Sequence, residues 1–166
     1  MTEPFFRWLI RRDIPEVLKT EQLCFEHPWP EEHVFWHLRQ RNIIGAVVET
    51  PDGQVVGHCM YQLQSKKLEL LRIAVRPEYQ RCGYGKHMID YLRKKLSAQR
   101  RTTLTATTSE WNLPAQLFFR GCGMECKAVE RKLFGDDHDA YTFAVGPADD
   151  YDQYNPAAHQ SGVARS

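Results

Sequence analysis

The segment Ile73-Ala74-Val75-Arg76-Pro77-Glu78-Tyr79-Gln80-Arg81-Cys82-Gly83-Tyr84-Gly85-Lys86 constrains this chain more than any other. An apolar run stops at a proline, crosses a turn holding two glycines, and opens into a helical pattern. Gly85, Met88, Ile89, Leu92 and Leu96 share one face of that helix, and Lys86, Arg93 and Lys94 the other. The β-branched run Thr102 to Thr107 follows, so the whole is a strand-helix-strand step, which brings a parallel pair into the sheet. The first turn of the helix has unpaired backbone N–H groups at the positive end of its dipole. Glycines let an anion approach such groups, and Arg81 and Lys86 add charge at the rim, so the junction can hold a pyrophosphate. Two other phosphate loops are excluded by spacing. Met88 occupies the third glycine position of the dinucleotide fingerprint, and a Walker loop would need a glycine five residues before Gly85 and a Ser or Thr after Lys86. On loop chemistry alone, a glycine turn that merely starts a helix fits as well.

The rest of the chain supplies a sheet around this step. Arg7 to Arg11 reads as a first strand, and Asp13 as the N-cap of a helix with Pro15 and Glu16 in its first turn. Ile14, Val17, Leu18, Glu21 and Phe25 form its inner face, apolar apart from Glu21. His27-Pro28-Trp29-Pro30 breaks the helix, and a second one starts at Pro30 or Glu31 and runs through Val34, Phe35 and Leu38. Three strands follow at Ile43 to Val48, Val55 to Leu63 and Leu68 to Val75, joined by turns short enough to make them antiparallel neighbours. Beyond Thr107, Leu113 to Arg120 reads as a helix stopped by Gly121 and Gly123. Met124 to Phe134 and Tyr141 to Val145 read as a final hairpin around Gly135 to Asp139. The domain is expected to span 1–146, with 147–166 a polar tail lacking periodicity.

Composition narrows the partners. A formal charge of +1 offers no basic field for nucleic acid, and no apolar run is long enough for a membrane. Met1 to Leu9 carries Glu3, Pro4 and Arg7, unlike a signal peptide, so a cytoplasmic location is expected. Cys24, Cys59, Cys82, Cys122 and Cys126 lack the spacing of a zinc site, and no metal is expected. His33 and His37, at i and i+4, read as a solvated helix face. Arg100-Arg101 and Lys94-Lys95 read as basic groups favourable at a helix end.

Gln80-x-x-Gly83-x-Gly85, after a strand ending Ile73-Ala74-Val75, resembles the acetyl-CoA pyrophosphate motif of the GNAT superfamily of N-acetyltransferases. The element order resembles that family over roughly residues 7 to 145, and Asn112, Phe119 and Gly123-Met124 are similar to its Asn…Tyr…Gly-Phe segment at the same spacing. The resemblance implies an α+β (mixed α/β) GNAT-like fold, with a mostly antiparallel sheet of roughly seven strands, one parallel pair and roughly four helices. It also implies acetyl-CoA (coenzyme A) as cosubstrate. Ile73, Ala74 and Val75 would then offer main-chain groups to the pantetheine arm. Backbone N–H groups of Arg81, Cys82, Gly83, Tyr84, Gly85 and Lys86 would wrap the pyrophosphate, and Asn112 and Phe119 would meet the cofactor near splayed strands.

Within the family, His27-Pro28-Trp29 resembles the branch that acetylates the N-terminal alanine of bacterial ribosomal proteins. The resemblance implies a protein or peptide amine as acceptor, with Trp29 lining its entrance; a hinge aromatic fits Trp29 equally. Two side chains depart from that branch. Thr107 stands where its strand Glu is found, and Phe119 where its proton-donating Tyr is found. Glu69, six residues before Val75, stands where the histone-type branch has its catalytic Glu. Alternation predicts Glu69, Leu71, Ile73 and Val75 on one face, where a partly desolvated Glu would suit proton abstraction. An α-amine of pKa about 7.7–8.0 costs about 1 kcal/mol to deprotonate at neutral pH, against nearly 5 for a Lys side chain at about 10.4. Loss of a strong base therefore favours an N-terminal acceptor, reached by direct attack in a ternary complex. If Glu69 is the base, a lysine or small-molecule amine fits. Loss of both side chains also fits a non-catalytic acyl-CoA-binding domain.

Overall fold

The structure, a computed structural model, describes residues 4–132 and 138–147. Its elements are β1 (Phe5–Trp8), α1 (Ile14–Cys24), α2 (Glu31–Leu38), β2 (Ile43–Glu49), β3 (Val55–Leu63), β4 (Lys67–Val75), α3 (Tyr84–Arg93), β5 (Thr103–Ser109), α4 (Leu113–Gly121), β6 (Glu125–Glu130) and β7 (Ala140–Val145). Short 3-10 turns stand at Arg11–Asp13 and Pro77–Tyr79. The order and the α+β class are those the sequence predicts. The expected tail beyond Pro147, and most of the expected loop before β7, lie outside the described residues.

One boundary moves for a physical reason. The first strand runs from Phe5 to Trp8 rather than from Arg7 to Arg11. Asp13 does not cap α1 with its side chain. Its carboxylate instead accepts the Ile10 N–H at 2.8 Å and two guanidinium bonds from Arg7 at 2.7 and 2.8 Å. These contacts close a 3-10 turn where the strand was expected to continue.

The seven strands form one sheet in the order β1-β2-β3-β4-β5-β7-β6. Every neighbour is antiparallel except β4 and β5, the parallel pair made by the crossover through α3. α1 and α2 cover one face, packing Ile14, Val17 and Val34 on Val47 and Met60. α3 and α4 cover the other, with Met88, Ile89, Leu92 and Phe119 on Tyr61, Leu68, Leu104 and Phe143. Fully burying one such side chain stabilises by roughly 1.5–3 kcal/mol, so the central strands are the rigid part of the molecule. Among the described residues, no helix is long and apolar enough to cross a membrane.

Candidate active site

Two irregularities in β4 create the site. The first is a fork. β4 pairs with β5 only from Lys67↔Thr103 to Leu70↔Ala106, and beyond Ala106 β5 follows β7 instead. β4 continues to Val75 on β3 alone, through Cys59↔Ile73, His58↔Ala74 and Gly57↔Val75. The Arg76 N–H donates to the Val56 carbonyl, so alternation turns the N–H and C=O of Ile73 and Val75 away from β3, into the gap. The Val75 carbonyl there accepts from Gln80 Nε2 at 2.8 Å and from Cys24 Sγ at 3.1 Å. Among the described residues, three groups of this pair remain to meet a ligand: the Ile73 N–H, the Ile73 C=O and the Val75 N–H.

The second irregularity is a β-bulge. Met60 faces Arg72 and Tyr61 faces Leu70, which leaves Leu71 without an opposite number. The extra residue shifts the phase of the strand. Ile73 and Val75 therefore pack on the α3–α4 face with Leu68 and Leu70, while Leu71 packs on the α1–α2 face. Simple alternation, which put Glu69, Leu71, Ile73 and Val75 on one face, is corrected by this bulge. Glu69, between Leu68 and Leu70, points to the α1–α2 face. It stands one residue below the fork, and its carboxylate accepts from Gln64 at 2.6 Å.

Beyond β4, the chain reaches α3 through a tight left-handed passage. Arg81 has φ of 62° and Gly83 of 89°, and only glycine adopts the second at no steric cost. Gly83 then accepts the His87 N–H at 3.0 Å. The N–H groups of Tyr84, Gly85 and Lys86 are the orphan donors of the first helical turn. Gly85 has a further reason that the sequence does not suggest. A Cβ there would lie 2.8 Å from Phe118 Cε2, so its hydrogen lets α4 close on α3. Between the loop, the fork and α4 lies a cleft of about 750 Å³. Ile73, Ala74, Val75, Arg81, Gly83, Gly85, Lys86 and Phe119 all line it, together with Cys24, Phe25 and Phe118. Another hollow, of about 530 Å³, lies near Leu9, Phe35 and Leu38 and is remote from this loop.

Of the remaining residues, Cys82, Tyr84, Asn112 and Thr107 stand around this cleft rather than in its wall. Cys82 is exposed, with Sγ 3.6 Å from the Gln80 carbonyl, and Tyr84 meets Tyr79 edge-on. Asn112 caps α4, its Oδ1 accepting the Ala115 N–H at 3.2 Å. Phe119 is buried against Phe118 and Phe143. Thr107 shares a 3.0 Å hydrogen bond with Thr142 across β5 and β7. The two departures are thus refilled by packing and by a hydroxyl pair. Among the described residues, no group of three or more His, Cys, Asp or Glu could hold a metal.

Trp29 lies on the opposite side of β4, in the connection between α1 and α2. Its ring stacks on His37 at 4.2 Å and on His33 at 4.7 Å, and the two imidazoles stack on each other. His33 is exposed, as its spacing suggested, but His37 is buried, so the pair forms an aromatic cluster on Trp29 with one solvated edge. Behind Trp29 is a cluster that sequence reasoning missed. Glu21, fully buried, accepts from His58 Nε2 at 2.9 Å, Arg72 Nη2 at 2.6 Å and the Trp29 N–H at 3.1 Å. Burial alone would raise the Glu21 carboxyl, but the hydrogen bonds from His58 and Arg72 more than offset it and hold it at about 2. Its sequence signal was present: a lone charge in the apolar stripe of α1.

Comparison with known proteins identifies the family and the fold. The model of the acetyltransferase (GNAT) family matches residues 7–124, well over half of the chain. The ribosomal protein bS18-alanine N-acetyltransferase of Salmonella typhimurium (strain LT2) is 24% identical over 122 residues, covering 74% of this chain and 81% of that protein. The crystal structure of the ribosomal-protein-S18-alanine N-acetyltransferase from Escherichia coli is similar with a TM-score of 0.70 at 24% identity, covering 87% of this chain and 94% of that one. Ard1 from Thermoplasma volcanium gives a TM-score of 0.75 at 19% identity, covering 88% and 99%. At these identities the structural likenesses show the fold.

Proposed function

The chain belongs to the acetyltransferase (GNAT) family, and from that premise we propose that it transfers acetyl from acetyl-CoA to the N-terminal α-amine of a protein or peptide. One observation carries the proposal: the open β4 groups at the fork and the orphan N–H groups of α3 face the same cleft. The pantetheine arm takes the Ile73 and Val75 main-chain groups. The pyrophosphate takes the N–H groups of Gly83 to Lys86, with Arg81 and Lys86 beside it. The acceptor enters from the α1–α2 face, past Trp29. Its neutral nitrogen attacks the thioester carbon, the C–S bond breaks, and the amine proton leaves through water to Glu69, which faces that side. Phe119 has no proton to give, so the thiolate takes one from solvent.

The position of Glu69 also favours a second acceptor class, a lysine or small-molecule amine, because a carboxylate on the acceptor face is what such an amine requires. The test is thiol release from acetyl-CoA against peptides with a free N-terminal alanine, N-terminally blocked peptides containing lysine, and polyamines. Release with the first group alone supports the α-amine reading, and release with either of the others replaces it. Silence throughout, with CoA still binding by calorimetry, would leave a binding module. Absence of CoA binding would overturn the assignment of the cleft.

A further inference from the structure

The acyl-transfer step needs no group from the Glu21, His58 and Arg72 cluster, yet the cluster spans both halves of the site. Arg72 follows the bulge at Leu71 and directly precedes Ile73, whose main chain opens into the fork. Its side chain leaves the sheet on the α1–α2 face. Nε and Nη2 bond Glu21 at 3.1 and 2.6 Å, and Nη2 also donates to the His27 carbonyl at 3.3 Å. The guanidinium lies 3.5 Å from the centre of the Phe25 ring and 4.9 Å from that of Trp29. Glu21, for its part, takes the Trp29 N–H. The connection between α1 and α2 is therefore tied at Phe25 through its ring, at His27 through its carbonyl, and at Trp29 through both amide and ring.

We propose that Arg72, clamped by Glu21, is a positioning residue for the acceptor: it sets the Phe25–Trp29 wall of the entrance against the strand that holds the thioester. The proposal rests on the reading that the acceptor enters past Trp29. The chemistry asks for arginine. A planar guanidinium bonds a carboxylate through more than one N–H while its flat faces stack on aromatic rings, and a lysine ammonium has no such plane. His58 completes the clamp from β3. Its Nε2 faces the carboxylate from a fully buried ring.

Arg72→Met and Arg72→Lys test this in the full chain. Three quantities are measured: acceptor KM and kcat with a peptide, CoA affinity by calorimetry, and hydrogen exchange at the Trp29 amide. Arg72→Met should raise acceptor KM by about tenfold or more, the scale of a lost charge-assisted hydrogen bond, and accelerate Trp29 exchange similarly. CoA affinity should fall less than acceptor affinity, although Phe25 also borders the cofactor cleft, and kcat should stay within about twofold of the parent. Arg72→Lys, which keeps the charge but not the plane, should recover only part of the loss. Unchanged acceptor KM, or an equal loss of CoA affinity, would overturn the proposal, the second because it marks a general structural role. If Arg72→Met does not fold, Arg72→Lys carries the same comparison. If the parent acetylates no amine, the functional reading fails separately, and Trp29 exchange still decides the clamp: no acceleration in either variant refutes it.

Discussion

Glu21→Gln should change how stability depends on acid, by an amount the structure sets. The carboxyl is held at about 2, against an ordinary value of 4.5. A depressed value means that, as pH falls, the unfolded chain takes up the proton before the folded one does. The stabilisation is therefore complete above the unfolded value and is lost between about 4.5 and about 2. Proton linkage across that window gives a loss of about 3 kcal/mol in all, of which about 2 kcal/mol falls between pH 5 and pH 3. Asp13, also lowered through its bonds with Arg7 and Ile10 against the opposing effect of burial, contributes in the same direction. It is present in both proteins and cancels from their difference. The assay is urea unfolding followed by tryptophan fluorescence at a series of pH values. Wild type should lose about 2 kcal/mol more than Glu21→Gln from pH 5 to pH 3, while at neutral pH the variant should be weaker by about 3 kcal/mol, as when one partner of a buried ion pair is removed. Parallel curves would refute the reasoning, because they would mean that Glu21 is not a paired carboxylate in the folded chain.

Further perturbations probe the other parts of the site. Glu69→Gln should lower turnover about 100-fold at neutral pH, with the deficit shrinking as rising pH deprotonates the amine unaided; unchanged turnover removes Glu69 from the mechanism. Gly85→Ala places a Cβ 2.8 Å from Phe118 Cε2, and the displaced ring should cost CoA about tenfold in affinity by calorimetry. Equal affinity would show that Phe118 yields away from the cleft. Lys86→Ala should weaken CoA several-fold and flatten its dependence on salt, since a charge at the rim is screened by ions. A variant whose salt dependence matches the parent would place the pyrophosphate elsewhere.

The site divides by how far apart its parts lie along the chain, and that division decides what the sequence could reveal. The cleft is written locally. Ile73 to Lys86 holds strand, proline, glycines and helix start within fourteen consecutive residues, so spacing and residue type, joined to the family resemblance, suffice to point to it. Even there, the close approach of Phe118 to Gly85 is not legible, because Phe118 lies on another helix. The β4 bulge was invisible because period-two alternation assumes an unbroken ladder, and a single inserted residue moves Glu69 to the other face from Ile73. The proposed acceptor side is built from distant pieces. Glu21 meets His58 across 37 residues and Arg72 across 51, and no periodicity joins them. What sequence did offer was a contradiction: a charge at Glu21 inside an apolar stripe, which burial forbids unless donors are supplied from elsewhere. A lone charge in a stripe of this kind therefore predicts that partners exist without naming them. Thr107 and Phe119 make the complementary point. Their residue types announce that two expected groups are gone, but only contacts with Thr142 and Phe143 show that the vacated positions were closed by packing. On the proposed function, the α1–α2 face, where Arg72 and Glu69 both point, is the side that receives the acceptor.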